Sequence, residues 1–148
     1  MSTFTLSVFI DRPQQDVFDF LSNPANISKW DADFESAEWT SNGVPGVGST
    51  YRASGKRLGS EKDGFFEIVQ WDRPNRYSYK VKERMFLFEH AETIFTLKPK
   101  DNGTDVTLES QFEIVASCKD IADNMMSEIT ARTVPTLSTH PARGNQWF

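Results

Sequence analysis

The segment from Glu67 to Phe112 constrains the fold more than any other part of the chain. It holds two aromatic-rich strand runs, EIVQWDRPNRYSYKV and, after a short break, TIFTLKPKDNGTDVTLESQF. Each run carries its own turn signal. Asp72, Arg73, Pro74 and Asn75 form one, and Asn102-Gly103, a strong two-residue hairpin dipeptide, forms the other. Strands joined by turns this short belong to an antiparallel sheet. Tyr77, Tyr79 and Val81 alternate with Ser78, Lys80 and Lys82, which gives that strand one apolar and one wet face. Thr93, Phe95 and Leu97 continue the pattern, and Val106, Leu108, Phe112 and Ile114 share a face of the last strand.

The same period of two opens the chain, where Phe4, Leu6, Val8 and Ile10 alternate with Thr5, Ser7 and Phe9. Asp11 is positioned to cap a following helix. Pro13 suits its first turn, where a missing N–H costs nothing, and Val17, Phe20 and Leu21 form its apolar stripe. Asn23-Pro24 repeats the cap-and-start signal. Two short helices are therefore predicted, with Ile27 and Trp30 turned inward. Strand-like spacing returns from Phe34 to Thr40 and breaks at Asn42, Gly43, Pro45, Gly46 and Gly48. Those glycines precede a strand instead of a helix, so they read as turn residues and not as a phosphate loop. Thr50 to Leu58 and Phe65 to Trp71 then read as the arms of a hairpin.

Ser117 and Asp120 offer a capping-box-like start to a last helix, from about Cys118 to Thr133. Ile121, Met125 and Ile129 recur in it every fourth residue, with Cys118, Ala122 and Met126 beside them. Pro135 ends it, since proline inside a helix costs about 3 kcal/mol and expels the preceding residue from the helical region. The expected organisation is one domain over residues 1–134 and a polar, flexible tail over 135–148.

At 148 residues the chain can bury a single core. Its 4 Trp, 3 Tyr and 12 Phe suit both that core and the lining of an apolar pocket, with core packing the commoner use. A net charge of -5 argues against a nucleic-acid partner, which needs a basic face. Arg52, Lys56, Arg57 and Lys62 gather positive charge locally, which reads first as a solvated hairpin. The lone Cys118 excludes an internal disulfide and has no second cysteine to share a zinc with. Neither a metal nor a cofactor is expected. The N-terminus enters a strand without a signal-like apolar segment, and no apolar run reaches the roughly 18 residues of a membrane span, so a cytoplasmic protein is expected. Monomer and dimer both stay open.

Three segments in order, RPxxxVFxFLSNPxxxxxW from Arg12 to Trp30, VQWDRPNRY from Val69 to Tyr77 and LxPxxxGTxVTL from Leu97 to Leu108, resemble the START-like, helix-grip (SRPBCC) superfamily and, within it, the polyketide cyclase/dehydrase-like group. The resemblance covers roughly residues 3 to 130. It implies an α+β fold in which a curved, seven-stranded antiparallel sheet wraps around a C-terminal helix, with two short helices after the first strand. It also implies an apolar cavity between helix and sheet, of the roughly 300 to 1,000 Å³ usual for ligand sites. The side chains expected to line it are Trp39, Tyr77, Tyr79, Phe95, Met125 and Ile129.

The function implied is binding or transport of a small hydrophobic or amphipathic ligand: a lipid, an isoprenoid or a polyketide-like aromatic. The alternative is a polyketide cyclase/dehydrase-type enzyme. Catalysis would draw on polar groups inside the cavity, for which Arg52, Tyr51, Glu67, Tyr77, Tyr79 and His90 are candidates. Strand alternation allows only about half of these to face inward, because Tyr51 and Arg52 must point apart. His90 shares a strand face with Glu92, and a His beside a carboxylate can act as a general acid or base. A half-exposed strand histidine is the commoner outcome. No convergent polar set stands out, and binding is the favoured function.

Overall fold

The computed structural model describes residues 2–31, 34–55, 63–82 and 88–114. They form strand β1 (Ser2–Ile10), helix α1 (Gln14–Leu21), a 3₁₀ turn at Pro24–Asn26 and helix α2 (Ile27–Trp30), followed by strands β2 (Ser36–Trp39), β3 (Thr50–Ser54), β4 (Gly64–Asp72), β5 (Arg76–Val81), β6 (Phe88–Lys100) and β7 (Gly103–Ile114). The strands make one antiparallel sheet in the order β1-β7-β6-β5-β4-β3-β2. Every neighbouring pair except β1–β7 is consecutive in sequence, as the short turn signals require. The α+β arrangement and seven strands are those expected from the sequence. The last helix, with Met125 and Ile129, and the tail lie outside the described residues.

The sheet has one packed face. Along β1 the even-numbered residues are sheltered and the odd ones exposed, ending at buried Ile10. On β7 the register sets Leu108 against Leu6 on one side and Phe95 on the other, so the apolar sets of three strands meet on the inner face. Tyr77 lies opposite Phe95, which puts Tyr77, Tyr79 and Val81 on that face as their alternation predicts.

Helix α1 closes part of the face. Val17, Phe18, Phe20 and Leu21 are buried, and Phe18 meets Trp71 and Tyr77 edge-on with centroids 5.3 and 6.1 Å apart. A fully buried Phe contributes on the order of 2–3 kcal/mol through lost apolar surface. Polar ties fix the helix to the strand ends. Gln14 Nε2 donates to Leu97 O at 2.9 Å and to Asn75 Oδ1 at 3.0 Å. Arg73 Nε and Nη2 donate to the two Asp19 oxygens, both at 2.8 Å. The Asn23 cap forms as expected, its Oδ1 accepting from Ala25 N at 3.1 Å with Pro24 behind it. Asp11 caps nothing. Pro13 itself takes the cap position of α1 with no side-chain hydrogen bond, because Arg12 N turns back to Ile10 O at 2.8 Å and carries Asp11 outward.

The β6–β7 hairpin forms one residue earlier than its dipeptide suggests. Lys100 pairs with Gly103, so Asp101 and Asn102 make the turn, and Asp101 takes the positive φ of 52°. Gly103 serves a different purpose. A Cβ there would stand 2.6 Å from Ile10 O and 2.5 Å from Phe9 Cζ, so only glycine lets β1 approach this closely.

Candidate functional site

Two rows of rings cross the inner face. The first runs over β2, β3 and β4: Trp39 opposite Tyr51, and Tyr51 opposite Phe66. Trp39 meets Tyr51 edge-on at 6.0 Å, and Tyr51 stacks on Phe66 at 5.0 Å with planes 18° apart. The second runs over β4, β5 and β6, with Trp71 opposite Tyr77 and Tyr77 opposite Phe95. Their centroids are 5.7 and 6.2 Å apart. Tyr79 joins the rows, lying 5.9 Å from Tyr51, 5.6 Å from Phe66, 5.8 Å from Tyr77 and 6.5 Å from Phe95. Separations and tilts of this kind are those that aromatic quadrupoles favour.

A bulge in β4 builds the second row. Ile68 pairs with Tyr79 but Gln70 pairs with Ser78, so Val69 is the extra residue and the strand changes parity there. Without it Trp71 would point outward. With it, Phe66, Ile68 and Trp71 all turn in.

Three phenols sit within this apolar surface. Tyr51 and Tyr77 are 2% and 3% exposed, and Tyr79 is half-buried. Burial pushes the Tyr77 phenol well above its ordinary value, the neighbouring Tyr79 oxygen acts in the same direction, and a hydrogen bond from Tyr51 opposes both. Tyr77 is therefore a neutral phenol at physiological pH. At the rim, the hydrogen bonds from Arg73 hold the Asp19 carboxyl below its usual range.

Of the side chains expected to line a pocket, Trp39, Tyr77, Tyr79 and Phe95 come together here, while Met125 and Ile129 lie outside the described residues. His90 and Glu92 sit elsewhere. The register places His90 across from Glu113, and Glu92 between Lys80 and Gln111, on the outer face. Arg52 also points outward, ion-paired with Glu38 and 3.8 Å from Asp63, and Glu67 lies outside across from Lys80. Among the enzyme candidates this leaves Tyr51, Tyr77 and Tyr79 inside. Phe66, Trp71 and the buried Trp30 are additional members of the inner surface. Among the described residues no group of three or more His, Cys, Asp or Glu side chains is placed to hold a metal ion, and no helix is long and apolar enough to cross a membrane.

Comparison with solved structures shows the same fold. A START superfamily protein from Mycobacterium smegmatis superposes with a TM-score of 0.81 at 10% identity, covering 95% of this chain and 97% of its own. A protein of Thermus thermophilus gives 0.77 at 16% identity over 98% and 100%. The di-domain ARO/CYC BexL from the BE-7585A biosynthetic pathway gives 0.76 at 18% identity, over 95% of this chain and 50% of that one. No curated protein matches. The sequence matches one family, described as polyketide cyclase / dehydrase and lipid transport, over residues 1–138. The chain thus belongs to the polyketide cyclase/dehydrase and lipid transport family, on a START-like α+β fold.

Proposed function

We propose that the protein binds a small hydrophobic or amphipathic molecule, with a flat ring system or acyl chain laid against the inner face between the row from Trp39 to Phe66 and the row from Trp71 to Phe95. The observation that carries this reading is Tyr79, a half-buried phenol in contact with four other rings and common to both rows. Aromatic rings offer large contact area at low rotamer cost, and a few polar groups among them orient a ligand. The family and the fold support the same reading.

Catalysis of cyclisation or dehydration on a polyketide-like chain is the second reading, and the buried phenols of Tyr51 and Tyr77 inside the apolar surface favour it. A neutral, buried phenol can donate to a substrate carbonyl as charge develops on its oxygen. BexL, named as an ARO/CYC protein, shares the fold at 18% identity. Binding remains the preferred reading, because His90 and Glu92 share the outer face and supply no base to the phenols.

The test is to incubate the purified protein with a total cellular extract, recover it by gel filtration and identify what travels with it by mass spectrometry. The expected result is one chemical class of apolar molecule at near-stoichiometric amount, unaltered after incubation. Recovery of a cyclised or dehydrated product would favour the enzyme, and recovery of nothing by the folded protein would overturn both readings.

A further inference from the structure

Trp30 buries a hydrogen-bond donor that meets no acceptor among the described residues. It ends α2, is 3% exposed, and its Nε1 has no hydrogen-bond partner among the described residues. Its ring stands edge-on to Phe95, centroids 5.7 Å apart and planes at 88°. Phe95 stacks on Tyr77. The Trp30 ring therefore borders the aromatic surface, one ring away from Tyr77.

The contrast with other sheltered polar groups nearby is informative. Thr104 Oγ1 donates to Arg12 O at 2.8 Å, Asn26 Nδ2 to Phe20 O at 3.3 Å, and Gln14 Nε2 to Leu97 O. Buried donors are almost always satisfied, and an exception calls for a partner that arrives later or a functional cause. An indole N–H can only donate, so the missing partner is an acceptor. Charge narrows its nature. The basic residues of the described strands, Arg52, Arg76, Lys80, Lys98 and Lys100, alternate onto the outer face, so an anionic head group would lose its hydration without meeting a counter-charge from them.

We propose that Trp30 is a specificity residue: its Nε1–H donates to a neutral acceptor oxygen of the bound molecule, so the site prefers flat aromatic ketones to hydrocarbons of the same shape. This rests on the reading that the inner face holds a ligand, and it narrows that ligand to a carbonyl-bearing class.

The experiment compares 2-acetylnaphthalene with 2-isopropenylnaphthalene, which share a shape and differ in having or lacking the acceptor oxygen. Both are titrated into wild type and Trp30→Phe. The expected result is that Trp30→Phe weakens the ketone roughly five- to tenfold relative to the alkene. In wild type, the assigned Trp30 Nε1–H proton resonance should move downfield with the ketone and stay in place with the alkene. That resonance decides the matter even if Trp30→Phe fails to fold. Equal loss of both probes in a folded variant, or a resonance that ignores the ketone, overturns the proposal and leaves the ligand reading intact. Failure of both probes to bind folded wild type overturns the ligand reading, and this inference with it.

Discussion

Tyr77 stacks on Phe95 across neighbouring strands, ring centroids 6.2 Å apart and planes at 17°, with both rings almost wholly removed from solvent. Because Tyr77 is neutral when folded and its pKa lies above the ordinary 10.0, the stability it contributes is intact below pH 10. It is lost as the pH climbs from there through the raised folded value. Thermal melts between pH 8 and 11 should show wild type losing stability more steeply above pH 10 than Tyr77→Phe, which has no phenol to ionise.

Asp19 has the opposite sign. Its folded pKa lies below the ordinary 3.8 because Arg73 donates to both carboxylate oxygens, so its contribution is fully present above 3.8 and is lost as the pH falls from there through the lowered folded value. The pair is exposed and solvent screens it. Asp19→Asn should lower the melting temperature slightly at pH 7, less than any core truncation does, and the difference from wild type should shrink progressively as the pH falls below 3.8.

Phe95 and Phe18 are both fully buried, one central to the second ring row and the other pressing α1 onto it. Truncation to Ala should destabilise by about 3–5 kcal/mol in each case, the range expected when a large ring leaves a cavity. Denaturant titration measures this, with little change in slope if the transition stays two-state.

Gly103→Ala should cost about 1–3 kcal/mol, because the new methyl group collides with the Ile10 carbonyl, which is backbone and cannot rotate away. Gly46→Ala, with open space at its Cβ position, is the control and should melt within a degree or two of wild type.

Much of the inner face was legible because alternation on β5 and β7 is regular. Tyr77, Tyr79, Phe95 and Leu108 reach it as period two requires. What escaped is tied to local breaks in that period. Val69 is an ordinary strand residue with nothing to mark it as a bulge, yet it alone decides that Trp71 faces in. Phe65 and Phe66 are identical neighbours, and pairing with β3 decides that Phe66 is the buried one while Phe65 is 37% exposed. The Asn102-Gly103 signal located the hairpin but not its register, because Gly103 answers to the approach of β1 and not to the turn. Trp30 was expected to point inward. That its N–H would lack a partner among the described residues depends on tertiary packing that no spacing encodes.

The central claim, that the ring surface centred on Tyr79 holds an apolar ligand, is tested most directly by equilibrium titration of wild type, Tyr79→Ala and His90→Ala with the uncharged dye N-phenyl-1-naphthylamine, all three shown to be folded. Saturable binding to wild type is predicted, unchanged in His90→Ala on the outer face and weakened about tenfold or more in Tyr79→Ala, since a tenfold loss corresponds to about 1.4 kcal/mol and a lost ring contact exceeds it. Absence of saturable binding to wild type, or equal affinity of wild type and Tyr79→Ala, would contradict it.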